Sequence, residues 1–204
     1  MKQIEETLGL VLESAQEEFL SKGYEKANLR SIAQRAGVTT GALYVRFPNK
    51  DALFSALVAP VADYLLSVYK AGNEQGFAQL DQGDAKEMWA ISDEVIQNMV
   101  DYIFDNKTTF ALLINCAVGS SYEHFVDDLI VEEEKQSMSY LKAMKEKGYE
   151  CAEVSEEDIH VLLSAQYYAI FEIVRHNTPK KEATERVMLI ADFFRPGWER
   201  IFGG

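Results

Sequence analysis

The sequence predicts an all-α protein, with a three-helix head over residues 1–48 and a larger helical body over residues 49–204. Three observations predict it. Apolar residues recur at three- and four-residue steps along nearly the whole chain, and no long stretch alternates with the period of two that a strand requires. Prolines number 4 in 204 residues, so few helix interiors are interrupted. Gly, Asn, Ser and Thr fall at the ends of the periodic runs, where helices stop and start.

Ile4, Leu8, Val11, Leu12, Ala15 and Phe19 make one face of a first helix, and Gly23 ends it. Asn28 is suited to cap a short second helix through Ala36, which Gly37 then ends. Thr39 or Thr40 caps a third reaching Phe47, and Pro48-Asn49 breaks the chain before a fourth. Leu53, Leu57, Val61, Leu65 and Val68 make the fourth helix long, with a kink expected near residues 56–60, where Pro60 removes a donor and crowds the preceding turn. Residues 71–84 read as a loop, because Gly72, Gly76 and Gly83 stand there among polar residues. Further helices are expected over about 85–105, 108–118, 121–147, 156–176 and 179–202. Ser155 with Asp158 resembles a capping box, and Thr178 before Pro179 resembles an N-cap followed by proline in the first turn.

Composition excludes several classes. With 48% apolar and 26% charged residues, the chain is an ordinary globular one. No apolar run is expected to reach the roughly 18 residues of a membrane span, and Glu5 and Glu6 close behind Lys2 are unlike a signal peptide, so a cytoplasmic protein without a membrane partner is expected. Cys116 and Cys151 are too few for a disulfide framework or a four-ligand zinc site, and His124, His160 and His176 lack the one-turn spacing of a metal pair. No nucleophile elbow, phosphate loop or dinucleotide fingerprint is present, so neither an enzyme nor a cofactor is expected. The net charge of −13 would repel phosphate if it were spread evenly. It is not: the first sixty residues hold seven Lys and Arg against seven Asp and Glu, so the excess acid lies in the body. Between Asn28 and Lys50, Arg30, Arg35, Arg46 and Lys50 stand with no carboxylate among them.

That cationic stretch coincides with the spacing of a helix-turn-helix. Ala33 lets two short helices approach and Gly37 makes the turn, while Ile32, Ala36, Val38 and Leu43 face inward. Ile32-Ala33, Ala36-Gly37-Val38-Thr39, Gly41-Ala42-Leu43-Tyr44, Phe47 and Lys50-Asp51-Ala52-Leu53 resemble the signature of the TetR family of transcriptional regulators. The resemblance spans about residues 8–58. It departs from the family pattern at Asn28, where threonine is frequent, and at Val45 and Arg46, where aromatic or histidine residues are usual. It implies that Thr39, Thr40, Gly41 and Ala42 meet base edges of double-stranded operator DNA, that Tyr44, Arg46 and Lys50 hold phosphates, and that Asn28 and Arg30 add backbone contacts. It also implies a homodimer and an unknown small-molecule effector, with repression relieved when the effector binds.

The body is less specific. Trp89, Met99, Tyr102, Phe110, Cys116 and Tyr122, with Phe125, Tyr167 and Phe171, are apolar enough to line an effector pocket, although residues at this helical spacing are more often plain core. Asn115, His124, Gln166 and His176 are candidate polar groups to orient a ligand, with surface exposure or ordinary satisfied burial the commoner fate of such residues. Glu132-Glu133-Glu134 reads as a solvated face. Dimerisation is expected through the last two helices, by Leu162, Leu163, Ile170, Ile173 and Val174 on one and Val187, Ile190, Ala191, Phe194 and Trp198 on the other. The competing function is a helical protein-interaction module without DNA affinity.

Overall fold

A computed structural model describes residues 2–83, 93–176 and 178–203, and every regular element among them is a helix. In chain order these are α1 (Lys2–Lys26), α2 (Leu29–Arg35), α3 (Thr40–Arg46), α4 (Lys50–Gln82), α5 (Asp93–Asp105), α6 (Lys107–Asn115), α7 (Phe125–Glu146), α8 (Glu156–Arg175) and α9 (Lys180–Ile201). Gly23 interrupts α1 with φ 72° and ψ 167°, a conformation open to glycine because it lacks Cβ. The expected capping box forms at α8, where Asp158 N donates to Ser155 Oγ at 3.1 Å and Ser155 N donates to Asp158 Oδ2 at 2.9 Å.

Four expectations are corrected. Residues 71–82 are helical, not a loop: α4 continues through Gly72 and Gly76 because its inner face is buried. Leu80 is 2% exposed there, and Phe77 packs edge-on against Tyr140 with ring centroids 5.3 Å apart. Burying such side chains is worth about 1.5–3 kcal/mol each, which outweighs about 1 kcal/mol lost per helical glycine. At α9 the cap position falls on Pro179, while buried Thr178 turns its Oγ1 toward the helix to accept from Arg186 at 3.1 Å. Residues 120–124 form a turn, so α7 starts at Phe125. Finally, α4 does contain an 18-residue window of mean hydropathy 1.6, long enough to cross a membrane. Only 33% of that window is buried, through Leu53, Phe54, Val58, Val61, Ala62 and Leu65, all 3% exposed or less, while Leu66 is 44% exposed.

The chain packs as two units and passes between them three times. The first holds Met1–Tyr64 and Asn106–Phe125. Its core holds an aromatic cluster in which Phe54 lies edge-on to Phe19 at 5.0 Å and to Tyr24 at 5.3 Å, and Ile32, Leu43 and Phe110 are buried in the same unit. The second holds Leu65–Asp105 and Val126–Gly204. Here α9 packs on α5 and α8, with Lys180 paired to Asp101 at 2.7 Å and Trp198 Nε1 donating to Gln166 Oε1 at 2.6 Å.

Candidate functional site

Local chemistry builds a short exposed helix at the edge of the first unit. Asn28 Oδ1 accepts from Arg30 N at 2.8 Å and starts α2. Gly37, at φ 69°, closes α2 and allows Val38 N to donate back to Ala33 O at 3.0 Å. Thr39 Oγ1 then accepts from Ala42 N at 3.1 Å and starts α3, while Phe47 N donates to Leu43 O at 2.8 Å and closes it. Leu43 and Phe47 are the anchors, 2% and 8% exposed. Everything else on α3 faces outward or sits at the margin: Gly41, Ala42, Tyr44 and Arg46 are exposed and Thr40 is half-buried. Val45 is 89% exposed, an apolar side chain with no core to join. Arg30 is also exposed, and neither it nor Arg46 forms an ion pair among the described residues.

The other two cations of the expected patch are engaged within the protein. Arg35 donates to Ser14 O at 3.0 Å and pairs with Glu18 at 3.2 Å and Glu17 at 3.4 Å, so carboxylates of α1 do offset it. Glu18 is fully buried and also meets Lys22 at 2.6 Å and Asn28 N at 3.2 Å. Burial works to raise its pKa, yet these hydrogen bonds and cations prevail and hold it below the usual carboxylate value. Lys50 Nζ donates to Tyr24 O at 2.7 Å and Glu25 O at 2.9 Å and lies 4.4 Å from the centre of the Tyr24 ring. It ties the start of α4 to the end of α1. Sequence spacing shows neither partnership, because both bridge residues 17 or more positions apart.

The turn after α6 belongs to the same unit. Tyr24 N donates to Cys116 O at 2.9 Å, Ser121 N to Asp51 Oδ1 at 2.9 Å, and the hydroxyls of Ser55 and Tyr122 meet at 3.0 Å. Tyr122 is thus a strut on α4 as well as an aromatic side chain, with its ring against Phe54 at 6.3 Å.

The expected pocket residues are divided between the units. Phe110, Asn115, Cys116, Tyr122 and Phe125 lie in the first, and Met99, Tyr102, Gln166, Tyr167 and Phe171 in the second. Phe110, Cys116, Phe125, Tyr167 and Phe171 are buried core, Asn115 is exposed, and Gln166 is bonded to Trp198. Trp89 lies outside the described residues. Within the second unit, a cavity of about 590 Å³ opens between α4 and α7. Leu66, Tyr69, Lys70, Asn73, Glu74 and Phe77 form one wall, and Leu129, Glu132, Glu133 and Gln136 the other. None belongs to the expected set, although Tyr69 packs 5.7 Å from Tyr167. The glutamate run is corrected as well: Glu132 is exposed, but Glu133 and Glu134 are half-buried. Burial pushes the Glu133 carboxyl up to about 7 against a hydrogen bond from Asn73, with the charge of Glu132 adding to the rise.

Known proteins resemble the chain in two ways. Residues 11–57 match the family described as bacterial regulatory proteins, tetR family. The HTH-type transcriptional regulator TtgR of Pseudomonas putida is 39% identical over 57 residues, covering 28% of this chain and 27% of that protein. The HTH-type transcriptional repressor Rv1474c of Mycobacterium tuberculosis is 36% identical over 58 residues, covering 28% and 31%. The match thus spans about a third or less of each curated relative. The fold extends further: NalD, the secondary repressor of the MexAB-OprM multidrug efflux pump in Pseudomonas aeruginosa, superposes with a TM-score of 0.56 at 18% identity, over 91% of this chain and 96% of that one.

Proposed function

We propose, from the match of residues 11–57 to the tetR family of bacterial regulatory proteins, that the chain is a cytoplasmic, homodimeric transcriptional repressor released from a palindromic operator by a small molecule. Residues 1–48 are the DNA-binding head and 49–204 the effector and dimerisation body. The observation that carries the reading is α3 itself, whose Leu43 and Phe47 anchor it while Tyr44, Val45 and Arg46 project outward. Thr39, Thr40, Gly41 and Ala42 at its N-terminal end face base edges in the major groove. Tyr44 and Arg46, one to two turns later, hold phosphates, and Asn28 and Arg30 add contacts at the start of α2. Lys50 acts as a positioning residue, since two of its N–H groups already secure α1.

Release follows from a change in head spacing. The α4 helix contributes to both packing units, and the α6 segment with its following turn is linked to α4 through Ser55 and Asp51. An effector that prefers one arrangement of the body needs a coupling of only about 1–3 kcal/mol to change operator affinity 5- to 150-fold.

The test is affinity for an operator recovered from genomic fragments that the protein retains, and for a mutated half-site, at several salt concentrations. Arg46→Ala should weaken both DNAs alike and lower the salt slope by about 1, because one phosphate fewer is neutralised. Thr40→Ala should leave the slope unchanged and reduce discrimination by up to about 1–3 kcal/mol per base pair. Equal wild-type affinity for the two DNAs would refute base reading by α3, and no salt-sensitive binding at all would favour the helical interaction module.

A further inference from the structure

The α4–α7 cavity has a chemistry more specific than an apolar pocket. Its wall carries three carboxylates, Glu74, Glu132 and Glu133, against one ammonium, Lys70. The rings of Tyr69 and Phe77 line the same space, and its volume of about 590 Å³ suits a drug-sized molecule. A neutral apolar occupant would leave a deprotonated Glu133 facing carbon, and an anion would meet the carboxylates of Glu74 and Glu132 beside it. A cation with an apolar body satisfies both walls: its charge lies against carboxylate, and its bulk and ring-facing edge against aromatic carbon.

We propose that this cavity binds an organic cation with an aromatic or alkyl body, seated with its charge against Glu133. The proposal deepens, and rests on, the reading of the body as an effector-binding one.

Proton linkage follows from the same geometry. Glu133 interacts with Asn73 and Tyr69 of α4, with Glu132 on its own helix and with Tyr167 of α8, and shares the cavity wall with Lys70 and Glu74. The Tyr69 and Tyr167 hydroxyls are pushed well above their ordinary value by burial and stay neutral. Glu133 keeps its proton to about pH 7 in the empty cavity, and a permanent cation must expel it. Cation affinity therefore rises with pH up to that value and then levels.

Tetraphenylphosphonium and tetraphenylborate test this, because they share size and apolarity and differ in the sign of charge. Calorimetric titration of the full chain without DNA, at pH 6 and pH 8, should show the phosphonium binding about tenfold tighter at pH 8, and the borate at least about tenfold weaker than the phosphonium. Glu133→Gln should bind phosphonium with a flat pH profile, while Glu132→Gln, at the exposed rim, should keep the rise. Should Glu133→Gln fail to fold, the wild-type profile and the comparison of the two ions decide. Equal binding of both ions, a flat wild-type profile, or an unchanged rise in a folded Glu133→Gln would overturn the proposal. None of these results bears on operator binding, which is measured without either ion, so the regulator reading fails or stands separately.

Discussion

Gly41 and Gly37 are four residues apart and are glycines for different reasons. Gly37 has φ 69°, so any side chain would strain the turn between α2 and α3. At Gly41 nothing internal requires glycine: an added Cβ would meet only Thr39 Oγ1, at 4.0 Å, and the residue is exposed inside a helix. Glycine there costs about 0.5–1 kcal/mol relative to alanine. A cost with no internal return is accounted for by something outside that must approach the backbone closely, which is the role proposed for the start of α3 on DNA. Gly41→Ala should therefore move two measurements in opposite directions. Stability in chemical denaturation should rise by about 0.5–1 kcal/mol, while operator affinity falls because a methyl group stands between helix and groove. Unchanged affinity in the stabilised variant would remove Gly41 from the contact.

The same reasoning applied along α4 gives a substitution with no functional penalty. Gly72 is exposed, its added Cβ would meet nothing within 4 Å, and the helix continues ten residues beyond it to Gln82. Gly72→Ala should raise stability by about 0.5–1 kcal/mol and leave operator affinity alone; a destabilised variant would show that residues 71–82 are not helical in solution. Those residues read as a loop in sequence because glycine among polar residues is a local signal, whereas the burial of Leu80 and the Phe77–Tyr140 contact are made with distant chain. The head was legible for the converse reason. Asn28, Gly37 and Thr39 act on backbone groups within four positions, so spacing alone located α2 and α3. The body cavity was not legible, because choosing apolar aromatics selects core such as Phe110, which is 0% exposed. Its wall needs polar side chains, and three consecutive glutamates conceal that successive helical residues point about 100° apart, turning Glu133 inward and Glu132 out.

For the whole molecule, the proposed dimer needs an apolar face that the protomer leaves uncovered. Of the residues expected there, Leu163, Ile173 and Trp198 are already buried within the second unit. Exposure falls instead on Val161 at 65% and Tyr168 at 36% on α8, and on Leu189 at 69% and Phe193 at 76% on α9. Leu189 and Phe193 are one turn apart and Val161 and Tyr168 two, so each helix presents a stripe, and α8 and α9 pack against each other within the unit. Two such stripes meeting about a twofold axis would form the four-helix packing by which a second copy covers them. The double variant Leu189→Arg, Phe193→Lys tests this with little risk to the protomer, since both side chains are mostly exposed. In sedimentation velocity at micromolar concentration it should be a monomer with unchanged helical content where the parent is a dimer. Its operator affinity should collapse and its salt slope fall to about half, because one head neutralises half the phosphates that two do. A variant that remains dimeric would place the interface elsewhere. A monomer that kept full affinity and slope would remove the requirement for two heads, and with it head spacing as the route by which an effector releases DNA.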